Sequence, residues 1–152
     1  MEKTKDIRIA IVGSEFQKFV TDNLEHNCIE ALIQNGVKRD HITAVRVPGS
    51  LEIPLAALLL AEKKKFDAII ALGAIHKGKT YHFQQVADEC IRGCMKVSLE
   101  HKIPVIYEVL AVYDIKDARE RATRKKENRG TEAALSALAM TGVVRTLRKK
   151  KI

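Results

Sequence analysis

The chain reads as an α/β protein built on a parallel sheet with helices on both faces, and three observations carry that reading. Short apolar runs alternate with longer segments of helical periodicity along its whole length. Three of those runs, "IRIAIV" (7–12), "FDAIIALG" (66–73) and "IPVIYEVLA" (103–111), have the Ile/Val/Ala/Leu-rich character of strands buried on both faces. No linker, internal repeat or low-complexity tract interrupts the 152 residues, so length and continuity predict one domain over 1–152.

The elements follow in order. After the first strand comes "GSEF", then a helix over 16–35 with Phe16, Phe19, Val20, Leu24, Cys28, Ile29, Leu32 and Ile33 on one stripe and Gly36 as its stop. "ITAVRV" (42–47) alternates, which places it nearer a sheet edge. In "IPLAALLLAEKKK", Pro54 suits a first helical turn, where its missing N–H costs nothing. That helix is apolar nearly all round, and a monomer's surface helix should keep a polar stripe. Leu58, Leu59 and Leu60 therefore imply a second covered face, by another subunit or by a thicker core within the chain, and subunit association is the preferred cover. Gly73 is read as ending the third strand. A helix over 80–101 then places Phe83, Val86, Ala87, Cys90, Cys94 and Val97 on one stripe, with Ile91 at its margin. The fourth strand leads to two helices, around 115–127 and 130–149.

Composition narrows the class. A chain of 152 residues with 46% apolar residues can bury roughly two-thirds of its unfolded surface without a metal or disulfide staple. No apolar run approaches the ~18 residues of a membrane span, and "MEKTKDIRIAIVGSEF" lacks the apolar core of a secretory signal. The three cysteines, Cys28, Cys90 and Cys94, have no matching metal-ligand cluster and fit buried free thiols in a reducing cytoplasm. The net charge of +8 raises a nucleic-acid reading. Its excess lies in "RERATRKKENRG" and "RTLRKKKI", however, without interleaved aromatics for base stacking. A solvated basic face, part of it favoured by a helix carboxyl end, is the better account.

Ligands of an open parallel sheet bind outside the carboxyl ends of its strands. Four unusual segments arrive at that rim: "GSEF", "VPGSLEIP", "GAIHKGKTYHF" and the fourth strand with Tyr107, followed by a basic helix. Within the third, Gly78 would let the chain bend close to a ligand, and Thr80 is placed to cap the next helix. The amide groups of that first turn favour a phosphate. His82 follows in the same turn, where the positive helix end disfavours imidazolium and suits proton transfer near pH 7. Taken alone, these residues fit a capped helix with a surface histidine equally well.

The segments "GSEF", "VRVPGSLEIPLAA", "DAIIALGAIHKGKTYHF", "VSLEHKIPVIYEVL" and "RATRKKENRGTEAALSAL" resemble, in order and spacing, the lumazine synthase family of riboflavin biosynthesis. The resemblance implies a flavodoxin-like three-layer αβα sandwich with a four-stranded parallel sheet, assembled as homopentamers with active sites between neighbours. Twelve pentamers form a shell in many members. It implies condensation of 5-amino-6-(D-ribitylamino)uracil with 3,4-dihydroxy-2-butanone 4-phosphate to 6,7-dimethyl-8-ribityllumazine, with release of phosphate and water and no cofactor or metal. It also implies the site. Phe16 stacks on the pyrimidine, Ser50, Leu51 and Glu52 hold the ribityl chain, and Ala74, Ile75 and His76 read the pyrimidine edge. Tyr107 keeps an aromatic wall where phenylalanine is common. Lys79 and Thr80 form the phosphate-side turn, His82 moves protons, Arg121 binds phosphate, and Arg129 stands where a lysine is usual near that same group. The implied partners are two small molecules and copies of the chain itself, with no membrane and no specific nucleic acid.

Several positions depart from the family's pattern. His76–Lys77 replaces an Ile–Arg pair, Lys79 stands where a small or acidic residue is common, and Ala111–Val112 replaces a Thr–Thr pair. "ATRKKE" lacks the two glycines of the usual kink, with Thr123 and Glu127 in the segment and no glycine until Gly130. Non-glycine residues there favour a straighter, more helical path, hence an expectation of pentamers without the icosahedral shell. The departures leave a second reading, a diverged or engineered oligomeric scaffold or cage component with reduced or no activity. A nucleic-acid-binding shell, marked by steep salt dependence, is a third.

Overall fold

The computed structural model describes residues 4–149. Four strands, β1 (Ile9–Ser14), β2 (Ile42–Val47), β3 (Ala68–His76) and β4 (Val105–Val112), form one sheet in the order β2-β1-β3-β4. Every neighbouring pair is parallel. Five helices connect and flank them: α1 (Lys18–Gln34), α2 (Ile53–Glu62), α3 (His82–His101), α4 (Ile115–Thr123) and α5 (Arg129–Lys149).

Side chains alternate across the sheet and so build two cores. Ile9, Ile11, Ile70 and Leu72 face α1, α4 and α5, while Ala10, Val12, Ile69 and Ala71 face α2 and α3. The result is the three-layer αβα sandwich of flavodoxin type. All six residues of β1 are buried, as a central strand covered on both faces requires. Strand β2 is buried only at Ile42, and its alternating sequence does mark an edge. Arg46 fastens that edge to α1, donating to Glu25 at 2.8 Å and Asp22 at 2.7 Å.

On α1, Val20, Leu24, Cys28 and Leu32 are buried as the periodicity predicts, and Gly36 ends the helix with φ 95°. Phe16 and Phe19 do not join them, being 60% and 54% exposed. The helix begins two residues later than the sequence pattern implies, after Gln17 in a left-handed conformation, and this turns Phe16 away from the core. Burial pushes the Cys28 thiol up to about 12, so it behaves as an inert apolar group.

One glycine reading is corrected. Strand β3 runs through Gly73 to His76; what excludes a side chain at Gly73 is space, since a Cβ there would lie 2.5 Å from Ser14 Oγ. At Gly78, which lines the rim cavity described below, a Cβ would meet no atom of the chain itself within 4 Å.

The expected straight path between the last two helices is also overturned. Helix α4 stops at Thr123, Arg124 is extended, and Glu127 takes a left-handed φ of 51°. Asn128, 4% exposed, organises the break. Its Nδ2 donates to the Ala122 and Arg124 carbonyls, and its Oδ1 accepts the Gly130 and Thr131 amides as an N-cap of α5. A well-placed asparagine thus holds a kink that glycine would otherwise permit. With that kink in place, the missing glycines give no reason to exclude a shell. Lys150, Lys151 and Ile152 of the terminal basic run lie outside the described residues.

Candidate active site

The strand order reverses direction between β1 and β3, and a cavity of about 450 Å³ opens at the carboxyl ends of the strands beside that switch point. Three connections supply its walls. The loop after β1 brings Phe16, anchored where the Glu15 and Phe16 amides donate to the Val47 and Pro48 carbonyls at 2.7 and 3.0 Å. The turn after β2 is a short 3-10 segment, Ser50–Glu52, that feeds α2 and puts Ser50, Leu51 and Glu52 on the cavity. The end of β3 contributes Ala74, Ile75 and His76, and the entry to α3 contributes Thr80 and His82. A hydrogen bond between Gln17 Nε2 and His76 Nδ1, 3.2 Å long, joins the first wall to the third.

Ten of the thirteen residues singled out from the sequence therefore lie on the cavity or, for Lys79, in the loop between lining residues Gly78 and Thr80. Gly49, Phe83 and Val86 line it as well. The helical periodicity places Phe83 and Val86 only as core positions of α3. They serve both purposes because the cavity lies against the helix's buried stripe.

Thr80 is not the cap of α3. Tyr81 holds that position, with an αR backbone and no capping hydrogen bond from its side chain. The loop carries Thr80 one residue too early, so the first-turn amides of α3 face the loop uncapped by a side chain. His82 is the first residue of the helix itself and sits within the lining.

Three residues are not on the cavity. Tyr107 lies half-buried in the core between the sheet and α3, in the cluster that also holds Cys90. Burial and then the neighbouring Cys90 push its phenol well above its ordinary pKa. Cys90 and Cys94, both buried on the inner stripe of α3, share that cluster. Arg121 projects from α4, whose Ala118 and Ala122 pack in the opposite core, so it lies across the sheet from His82. It is 41% exposed at its side chain, and among the described residues its hydrogen bonds and ion pairs stay within its own helix, where it donates to the Asp117 carbonyl at 3.0 Å.

Arg129 is bound up in ion pairs, with Glu108 at 3.1 Å and Glu132 at 2.6 Å. Glu108, 8% exposed on β4, escaped the sequence reading. Burial raises its pKa, against the opposing pull of Arg129. A lone acidic residue inside an apolar run is the signal that marks it.

A parallel open sheet with a mixed polar and aromatic cavity at its switch point places this chain among the open-sheet α/β proteins, whose ligand clefts lie at the carboxyl rim. The sequence identifies it further. The family model of 6,7-dimethyl-8-ribityllumazine synthase matches residues 6–145, and the chain belongs to that family of riboflavin-biosynthesis transferases. Among the described residues no helix is long and apolar enough to cross a membrane.

Proposed function

We propose that the chain condenses 5-amino-6-(D-ribitylamino)uracil with 3,4-dihydroxy-2-butanone 4-phosphate to give 6,7-dimethyl-8-ribityllumazine. The observation that carries this reading is the convergence of Phe16, Ser50–Glu52, Ala74–His76, Thr80 and His82 on one cavity. Phe16 offers an exposed aromatic face for the pyrimidine, and the Ser50–Glu52 turn offers hydrogen-bonding groups for the ribityl hydroxyls. The substrate amine attacks the ketone carbonyl, and water leaves as the imine forms. Phosphate is then eliminated as inorganic phosphate, and the ring closes as the ribityl-bearing nitrogen adds to the remaining carbonyl carbon and a second water leaves. His82 carries protons between these groups. Lys79 and the uncapped first-turn amides of α3 provide for the phosphate, the amides through the positive end of the helix. Holding both reactants in register supplies much of the remaining acceleration.

In this reading Arg121 and Arg129 reach the phosphate from a neighbouring copy, since neither lies on its own chain's cavity. An apolar surface supports such association. Leu51, Leu55, Leu59, Ile91, Met95 and Leu99 are 47–70% exposed along α2, α3 and the cavity rim. A homopentamer in the cytoplasm, alone or within a larger shell, is the assembly we propose. Light scattering decides between those sizes.

The test is an absorbance assay for the lumazine product, with the uncatalysed rate subtracted. Rate above background in the parent and its loss in His82→Ala support the reading; background rate from a well-folded oligomer sinks it. Arg121→Ala mainly weakens use of the phosphorylated substrate, and unchanged kinetics would refute the phosphate assignment. Equal mixing of unfolded His82→Ala and Arg121→Ala chains, followed by joint refolding, regenerates about a quarter of parent activity if each site draws on two neighbours. No recovery would place both residues in one chain's site. The alternative is an oligomeric scaffold, diverged or engineered, with reduced turnover. The ion pairs that occupy Arg129 favour it, and the same assay separates the two.

A further inference from the structure

At the other edge of the sheet, beneath the amino ends of β3 and β4, lies a second cavity of about 290 Å³. Lys64 and Phe66 reach it from the segment before β3, Lys102 and Ile103 from the segment before β4. Thr141, Arg145 and Arg148, spaced along one face of α5, close the third side. Cations here have an ordinary explanation, because α2 and α3 end nearby and helix carboxyl ends favour positive charge.

Two observations go further. Thr141 is 1% exposed, lines this cavity, and its Oγ1 has no hydrogen-bond partner among the described residues. Buried hydroxyls are normally satisfied, so an unpartnered one on a cavity wall marks a group the cavity is built to meet. The charge is also unbalanced. Among the described residues Asp67 is the one carboxylate on the lining, and it is engaged by Arg145 at 3.0 Å and by the Arg8 amide at 2.8 Å. Among the described residues no ion pair joins Lys64, Lys102 or Arg148 to a carboxylate. Arg148 is instead held in place through its Nη2, which donates to the Lys102 carbonyl at 2.7 Å.

We propose that this cavity is an oxyanion site for the phosphate group of a small phosphate monoester or for free inorganic phosphate. Thr141 Oγ1 is the buried donor, and Arg148, Lys102 and Lys64 supply the charge. Arginine's planar fork suits the tetrahedral oxyanion, with free N–H groups beyond the one spent on Lys102. Phe66, Ile103 and Val144 form an apolar wall against which the organic part of a monoester packs. The site is separate from the rim cavity and does not depend on the activity proposed there.

The experiment is calorimetric titration of the assembled protein at low ionic strength, with inorganic phosphate in one arm and glycerol 1-phosphate in the other. The parent here is Arg121→Ala, so that phosphate affinity at the rim does not mask the signal. Saturable binding near one per chain is expected. The near-isosteric Thr141→Val should lower affinity about 10-fold or more by removing a hydrogen bond to an anion, and Thr141→Ser should restore it. Arg148→Gln, at an exposed position, should weaken binding comparably and guards against a folding defect at Thr141. The tighter arm identifies the source of the phosphate group. No saturable binding in either arm, or affinity unchanged in Thr141→Val or in Arg148→Gln, overturns the proposal.

Discussion

The two edges of this sheet face the same problem with opposite endowments. In a parallel α/β sandwich every helix runs against the strands, so helix amino ends gather at the carboxyl rim and helix carboxyl ends at the other edge. The carboxyl rim of this chain can meet an anion with backbone amides, as at the uncapped first turn of α3, and needs only a few polar side chains beside them. The amino edge begins with the wrong sign. There Lys64 and Lys102, both in left-handed backbone just past helix ends, together with Arg145 and Arg148, must first offset the helix carbonyls. The lesson is that a cavity's charge has to be read against the helix termini around it. Similar numbers of cations mean different things at the two edges.

The largest expected effect breaks the rim alone. His82→Ala should slow lumazine formation by about 10²-fold or more, the usual contribution of a positioned proton carrier, while thermal melting and particle size stay at parent values. A comparable fall in melting temperature would make His82 a structural residue. Next, Gly73→Val should cost about 1–3 kcal/mol in denaturant unfolding by forcing a side chain onto Ser14 beneath the rim. Titration at the amino edge should be unchanged, and its loss would show the two edges to be coupled. Asn128→Ala should cost about 1–2 kcal/mol as a lost N-cap, with further loss from the donors it gives to Ala122 and Arg124. A smaller change would mean that Arg124 and Glu127 hold the kink unaided.

The smallest effect concerns Glu108. Its folded-state pKa is raised by burial, so the folded chain binds this proton more tightly than the unfolded chain does. Its contribution to stability is full below the ordinary carboxylate pKa and is lost as pH rises through the raised value. In Glu108→Gln that part of the decline should vanish, read as melting temperature against pH across the mildly acidic range. A parent-like slope in the variant would place the titration elsewhere. The same variant frees Arg129 from one of its two carboxylates and should improve use of the phosphorylated substrate if Arg129 serves that group.

Much of the rim was legible in advance because its signals are local. Apolar runs mark the strands, Phe16 and Ser50–Glu52 follow within a few residues of β1 and β2, and Ala74–His76 close β3 itself. Strand β2 could be placed at an edge because a half-covered strand must alternate. The misreadings arose where a non-local contact decides. Nothing near Gly73 in the sequence says that Ser14 will sit 2.5 Å from its missing side chain. Nor does the lack of glycine around Glu127 reveal that Asn128 will bridge the end of α4 to the start of α5.

By itself, then, the sequence determined the layer architecture, the element order, the identity of the rim residues and the family. These rest on periodicity and on motifs contiguous in the chain. Only the tertiary structure decided which face of the sheet each functional group occupies. His82 and Arg121 fall in opposite layers, Tyr107 is drawn into the thiol cluster of α3, and Arg129 is claimed by Glu108. It also brought Thr141 and Arg148 beside Lys64 and Lys102, residues between 39 and 84 positions apart. The physical reason is the same in each case. The alternation of side chains across a strand and the angular position around a helix set orientation, and a partner from elsewhere in the chain sets what that orientation meets.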